Sequence, residues 1–573
     1  MSVEQTSMNQ LITDNIDIWT STVKTKSASG RGSSKKRELY GVKKLRELIL
    51  ELAVRGKLVP QDPTDEPASI LLERIAAEKA QLVKDKKIKK QKSFGEVRND
   101  EALFELPLGW QWTRLSELSE IGPRNSDVED ESEASFVPMP MISTSYKGDH
   151  GSEVRSWKDI KKGYTHFRDG DIALAKITPC FENSKAAVFS DLKNGVGTGT
   201  TELHVARPIS GALEPLFVLL YLKAPMFLKV GETQMTGSAG QKRVPKDFFA
   251  GNPLPYPPLK EQKRIVAKVD ELMTLCDQLE QQTEASIEAH QVLVTTLLDT
   301  LTNSADAEEL MQNWARISEH FDTLFTTEAS IDQLSKCIVT MASLGLLSKG
   351  DAKSLLDREL VLEIALKEKE GLLKNGVIKN EKVKELIIST PFEVLPKGWV
   401  ACSLNDVTSC LDHKRVPIKK SERTEGKVPY YGANGPVGFI GEKLFDEELV
   451  LVVEDETFIG RTKPFSYRVS GPSWVNNHAH VLKCTSVIVP DFLNILLSYY
   501  PLVPLTSGTT GRKKLTKNTL LQLPIILPSI PEQFEILKIV DELNGICEKL
   551  KASIKYSQAT QLNLTEAIVE QAV

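Results

Sequence analysis

Glu261 to Leu301 reads EQKRIVAKVDELMTLCDQLEQQTEASIEAHQVLVTTLLDTL. Its apolar residues alternate three and four apart at Ile265, Val269, Leu272, Cys276 and Leu279, and after a polar middle the spacing resumes at Leu293 and Leu297. That narrow stripe predicts one long helix packed along a partner helix. Glu532 to Glu570 supplies the partner. Ile536, Val540, Leu543, Cys547 and Leu550 keep the same spacing, followed by Ile554, Leu564 and Ile568. The two stretches align without a gap at an offset of 271 residues: Glu261-Gln262 matches Glu532-Gln533, Val269 to Leu272 matches Val540 to Leu543, and Cys276 matches Cys547. The chain therefore reads as a tandem duplication tied by paired helices. The centres of both helices (Thr283, Ser286 and His290; Ser557 and Gln561) are poor seam material.

At 573 residues the chain is too long for one core. It is 41% hydrophobic and 26% charged, as ordinary soluble proteins are. No apolar run reaches the ~18 residues that span a bilayer, and the N-terminus MSVEQTSMNQ lacks a secretory pattern. A cytoplasmic location without membrane contact is the expectation. Seven scattered cysteines suit reduced thiols. A net charge of −5 argues against a protein that coats nucleic acid, but local basic surfaces decide binding.

The chain divides into six segments. Residues 1–37 read as a flexible extension with a short helix within Ile12–Trp19 and a basic cluster at Arg31, Lys35, Lys36 and Arg37 that reads as a solvated tail. Residues 38–105 hold a helix at Glu38–Leu58, with Gly56 near its end, and a second from Ala68 to about Lys90 that runs into lysines. Residues 106–260 form a mixed α/β domain opening at LPLGW, with strands at Ser135–Val137, Asp171–Ile177 and Leu203–Ala206 and a buried helix over Pro215–Leu228. Residues 261–394 are the central helical region. There Ile331, Leu334, Ile338, Met341 and Gly345 match Val42, Leu45, Ile49, Leu52 and Gly56 at an offset of 289. Residues 395–531 are the second α/β domain, opening at LPKGW, and 532–573 the last helix. The offset falls from 289 to 271 across the domains, so the second is 18 residues shorter. Matched borders and unmatched interiors indicate one framework displaying two modules of different specificity.

No catalytic constellation emerges. There is no Gly-x-x-x-x-Gly-Lys loop, and Gly508 to Lys513 has the wrong spacing for one. Asn252 to Tyr256 imitates an amino-methyltransferase turn only loosely. Cys402, Cys410, His413, His478, His480 and Cys484 are too loosely spaced for a zinc site, so no metal is expected.

The positive signal lies in two loops. Gly237, Ser238, Gly240, Gln241, Lys242 and Arg243 recur at the offset of 271 as a loop with Gly508, Thr509, Thr510, Gly511, Arg512, Lys513 and Lys514. Glycines let a backbone approach phosphate, and Lys and Arg supply charge. Gln and Arg also read base edges. Further polar or cationic candidates are Lys176, Lys185, Tyr431, Asn434, Arg461, Lys463 and His478. Residues 395–531 hold 16 Lys/Arg against 12 Asp/Glu, whereas 106–260 balance at 18 against 18. A basic surface turn, or a histidine satisfied beside a strand, is the structural alternative for each.

The LPxGW openings, FVPMP at Phe136 to Pro140, YYGANGPVGFIG at Tyr430 to Gly441, and Glu-Gln leading into VDEL resemble the specificity subunits of type I restriction–modification enzymes. The resemblance covers about residues 38 to 573. It implies a mixed α+β fold with two α/β target recognition domains, separated by two long antiparallel helices forming a coiled coil. An internal pseudo-two-fold repeat and extra N-terminal helices complete it. It also implies a non-catalytic subunit that binds double-stranded DNA at a split, asymmetric site, one domain per half. Two modification subunits would carry S-adenosylmethionine, and restriction/translocase subunits would carry ATP and Mg; this chain would bind no cofactor. A helix of about 41 residues spans roughly 60 Å, enough to separate half-sites that recur every ~34 Å. The competing reading is a coiled-coil scaffold displaying two modules for ligands other than DNA.

Overall fold

Each run of three-four spacing folds as one helix. The computed structural model describes residues 8–26, 36–209, 211–238, 240–305, 307–348, 357–379, 395–456, 458, 461–509 and 512–573. The first long helix spans Leu259–Thr302 and the second Ile530–Ala572. The chain forms two compact units, Met1–Ala285 with Gln558–Val573, and Ser286–Ser557. Each long helix thus gives its first part to one unit and its last part to the other.

In the first unit Ile265, Val269, Leu272 and Cys276 are buried and Leu279 is half-buried, as the spacing predicts. The helix Tyr40–Val54 buries Val42, Leu45, Ile49 and Leu52, and its Arg46 bridges Asp277 and Glu280 at 2.6 Å each. The N-terminal segment departs from the flexible reading. Met8–Asp14 and Ile16–Ser21 are helical, and Lys24–Lys26 pairs antiparallel with Lys36–Glu38. Trp19 is fully buried, and a Cβ on Gly41 would stand 2.3 Å from its carbonyl oxygen. Thr22 meets Thr565, near the end of the last helix, at 3.1 Å through their buried hydroxyls. A polar composition hid one large anchoring side chain. Arg31 and Lys35 lie outside the described residues.

The first α/β module (106–260) has two four-stranded sheets. One runs in the order Glu153–Ser156, Glu133–Val137, Val196–Gly199, Thr165–Arg168, with the middle pair parallel. The other runs Ser119–Ile121, Leu203–Pro208, Ile172–Ala175, Ala186–Val188, all antiparallel. Phe167 and Phe189 stack at 3.6 Å in the core they share with Val137, Ala173 and Val205. Gln111–Arg114 pairs with Pro253–Tyr256 and closes the module. The helix read over Pro215–Leu228 is two, Pro215–Lys223 and Pro225–Gln234, because Pro225 forces Ala224 out of the helical region.

The second module (395–531) repeats this topology. Gly435–Ile440, Val428–Gly432, Pro472–Val475 and Phe445–Asp446 form the sheet with a parallel middle pair. Thr408–Cys410, Ala479–Cys484, Leu449–Val453 and Ser466–Val469 form the antiparallel one. The interiors that do not match in sequence therefore match in strand order.

The matched borders have a structural reason. Gly56 and Gly345 end their helices with φ of 70° and 76°, and a Cβ there would strike Pro107 at 2.5 Å or Pro396 at 2.6 Å. The LPxGW openings thus close down on these glycines. Gln262 and Gln533, both fully buried, accept the N–H of Glu214 and of Val489 at 2.8 Å. Those amides precede the helices Pro215–Lys223 and Pro490–Ser498.

In the second unit Val294, Leu298 and Leu301 share one core with Ile536, Val540 and Cys547, while Leu543 and Leu550 pack half-buried against it. Here the expected seam shifts. Leu293 is 50% exposed and Leu297 half-buried, and the buried stripe lies one residue later. Val294 stands 18 residues after Cys276, five turns of a straight helix, so the polar middle drops the supercoiled period and the stripe drifts. The helical stretch Ala307–Leu347 also divides, into Ala307–Glu319, Phe321–Leu324 and Glu328–Ser343, the last capped by Thr327.

Candidate nucleic-acid interface

The two glycine-and-cation loops fold alike. In the first module Thr236 and Ile177 both bridge to Arg243, so the loop is a tight hairpin laid beside the end of a core strand. In the second, Ser507–Thr509 and Arg512–Lys514 pair as a hairpin, and Asp455–Glu456 lines its outer side. Gly237 and Gly508 hold φ of 125° and 120°, a conformation L side chains rarely adopt, and a Cβ on Gly237 would stand 2.9 Å from the carbonyl oxygen of Gln241. Gly240 turns at φ 78° with open space around it. Ser238, Gln241 and Lys242 are exposed. Thr510 and Gly511, and the side chains of Thr509 and Arg512, lie outside the described structure.

The backbone bonds at the hairpin base superpose one for one. Val244 donates to the carbonyl of Lys176 and Leu515 to that of Glu454, both at 2.8 Å. Lys176 donates to Glu202 at 2.9 Å and Glu454 to His478 at 3.0 Å. His204 Nε2 lies 2.9 Å from the Val244 carbonyl, and His480 Nε2 lies 2.9 Å from that of Leu515. The matching residues trace the offset stepping from 289 at the opening strands to 278, 276 and then 271.

Side chains at these shared positions differ. In the first module Arg243 grips Glu202 with two bonds of 2.9 Å, and the guanidinium holds that carboxyl below its ordinary range. In the second, Lys514 meets Glu454 at 2.8 Å and His478 meets Asp455. Arg243 and Lys514 thus carry carboxylate partners at the base, whereas Lys242 stands exposed near the tip. Lys513 is half-buried opposite Gly508.

Other candidates are placed less uniformly. Lys185 is half-buried and donates to the carbonyl of Met139 at 3.0 Å, a structural use of its charge. Tyr431 is half-buried, its ring 6.0 Å from that of Tyr467, and its carbonyl takes the N–H of Asn476, whose side chain accepts from His478 N–H at 2.8 Å. That chain brings the strand of Tyr431 beside His478. Asn434 is exposed at the turn between Val428–Gly432 and Gly435–Ile440. Arg461 folds onto its own loop, donating to the carbonyls of Lys463 and Pro464, while Lys463 itself is exposed.

Asp412, Glu454 and His480 place ligand atoms within 4.8 Å of one another. Arg415 bonds both carboxylates and Lys514 bonds Glu454, so the cluster is already charge-compensated. Burial would push Asp412 and Glu454 up, but bonds from His480, Arg415 and Lys514 hold both below the usual range. The geometry is that of a buried ion network rather than a vacant cation site. All seven cysteines are free, and burial pushes the Cys276 and Cys402 thiols up to about 12. Among the described residues no helix is long and apolar enough to cross a membrane.

Sequence reading missed His204, Glu202, Glu454 and Asp455. A signal existed for one pair: His204-Val205 and His480-Val481 sit at an offset of 276, between the two offsets found at the borders.

A family model for the type I restriction modification DNA specificity domain matches residues 107–289 and 396–556, once per copy. The EcoAI type I restriction enzyme specificity subunit of Escherichia coli is 48% identical, over 99% of this chain and all of its own length. The EcoEI specificity subunit, also from Escherichia coli, is 46% identical with the same coverage. A crystal structure of the HsdS subunit from Thermoanaerobacter tengcongensis aligns with 82% of this chain and 98% of its own, at 18% identity and a TM-score of 0.42. On its sequence, this chain belongs to the family of type I restriction–modification specificity subunits.

Proposed function

We propose that this chain reads a two-part, asymmetric DNA sequence on behalf of a type I restriction–modification assembly, one α/β module per half-site. The observation that carries the reading is the recurrence of one hairpin, with the same backbone bonds and glycine conformation, under two different sets of polar side chains. A shared frame presents the hairpin in the same way in each module. Differing residues such as Gln241 and Lys242 against Arg512 and Lys513 would read different bases or phosphates.

The two long helices act as the spacer that sets the distance between half-sites. Exposed apolar residues recur on them at the repeat offset: Leu275 (41% exposed) with Ile546 (51%), and Leu293 (50%) with Leu564 (44%). Such duplicated positions suit docking of two copies of one partner, here the two modification subunits that bind S-adenosylmethionine. Restriction subunits, which use ATP and Mg, complete the assembly. This chain contributes recognition and no chemistry, and binds no cofactor of its own.

Co-expression with the modification subunits, followed by sequencing-based mapping of methylated adenines, tests the reading. A single split motif with a fixed spacer is the expected result; absence of any modified split motif would sink it. Deleting seven residues, Gln278 to Glu284, should change the spacer and keep both half-sites. A mutant with the wild-type spacer would remove the ruler role.

A further inference from the structure

In each module the residue after the hairpin's last cation is held on both sides of its peptide. Val244 and Leu515 give their N–H groups to the core strand at 2.8 Å. Their carbonyls face the Nε2 of His204 and His480 at 2.9 Å. Neither histidine is loosely placed. His204 stacks on Phe249, with ring centroids 5.4 Å apart and planes at 20°. His480 is 1% exposed and its Nδ1 meets Asp412 at 2.6 Å, while the other Asp412 oxygen takes the N–H of Val481 at 2.9 Å. Phe249 and Asp412 are unlike, yet both orient a ring toward the same carbonyl. Two modules that differ in most interior residues thus keep one donor aimed at one point.

A buried ring holding a carbonyl usually serves the fold alone. Here the carbonyl belongs to the junction between the rigid strands and the hairpin. Moving that junction changes where Gly237 to Arg243, or Gly508 to Lys514, stands, without unfolding either sheet. Burial keeps the His204 pKa near 4, so it is a neutral donor around pH 7.

We propose that His204 and His480 are the positioning residues of the two recognition hairpins, each setting the stance of its glycine-and-cation loop against one DNA half-site. The proposal rests on the reading that the modules bind DNA. It adds that loop placement is controlled separately in each module by one imidazole that does not touch DNA.

The test uses the full chain assembled with its modification subunits. Methylation is measured on two duplex pools, each randomised in one half-site. His204→Leu removes the donor and should cut discrimination among sequences of one half-site by roughly tenfold, the worth of one hydrogen bond, leaving preference at the other unchanged. His480→Leu should do the same at the opposite half-site. His204→Gln places an amide N–H at similar reach and should restore discrimination. Where a leucine variant does not accumulate folded, the asparagine variant replaces it, since its amide is too short to reach the carbonyl. Equal loss at both half-sites, no loss at either, or failure of Gln to rescue overturns the proposal. A wild-type assembly without preference at either half-site overturns the DNA reading itself, and with it this proposal.

Discussion

The indole N–H of Trp399 donates to Oε1 of Glu532 at 2.9 Å, tying the LPKGW opening of the second module to the root of the last helix. Ser348 bonds the same carboxylate oxygen. Glu532→Leu strands the indole in a buried site, at a cost of about 1–3 kcal/mol. The expected outcome is a lower denaturation midpoint, with Glu532→Gln recovering most of it. A leucine variant as stable as wild type would show that the pair contributes nothing.

Lys242 and Lys185 separate contact from support. Lys242 is exposed on the hairpin, and Lys242→Ala should flatten the log–log salt dependence of DNA binding by about one unit if it meets one phosphate. Lys185 spends its charge on the Met139 carbonyl, so Lys185→Ala should lower stability and leave the salt slope in place. Titrations of the assembled complex at several salt concentrations read both.

The seam of the first long helix gives a sharp contrast between neighbours. Leu298 lies in the core of the second unit, and Leu298→Ala should cost about 2–5 kcal/mol. Leu293, half exposed, should tolerate alanine within about 0.5 kcal/mol in the isolated chain. Urea unfolding distinguishes them, and equal costs would contradict the shifted stripe.

Acid should weaken the first module before the second. The folded pKa of His204 is about 4, below its ordinary 6.5, with burial as the main cause and the hydrogen bond to Val244 opposing it. The unfolded chain therefore takes the proton first. The stability held in the neutral ring is present above about pH 6.5 and lost as pH falls toward 4, roughly 3 kcal/mol when complete. His166, also lowered by burial, adds in the same direction. In the second module Asp412 and Glu454 sit below their ordinary range, so their contribution fades only as pH falls below about 4. Hydrogen exchange resolved by segment should show the first module opening at the higher pH, and His204→Gln should remove most of that limb.

The helical frame was legible because a three-four stripe needs only local order, and a gapless offset of 271 is unmistakable over forty residues. The stripe failed at Leu293, where polar residues release the supercoil and the count reverts to the straight-helix period. Strands of three to six residues left a weak signal, so their shared order across two unlike interiors was invisible. The hairpins were found through their glycines and cations. The histidines that fix them were not, because a buried donor is defined by what it faces, and Val244 is 40 residues from His204. Trp19 was missed for a similar reason: its partners, Gly41 and the end of the last helix, stand far along the chain.

Gln262 and Gln533 grip their modules through main-chain atoms alone. Gln262 takes the amide of Glu214 and gives to the carbonyl of Pro257; Gln533 takes the amide of Val489 and gives to the carbonyls of Val487 and Pro528. A main-chain amide is the same whatever residue carries it. The joint is therefore indifferent to the lettering of the module it holds. Drift, or wholesale exchange, can rewrite residues 106–260 or 395–531 while the socket goes on fitting, and a lineage under changing viral pressure can acquire a new target without re-engineering the stem that carries it.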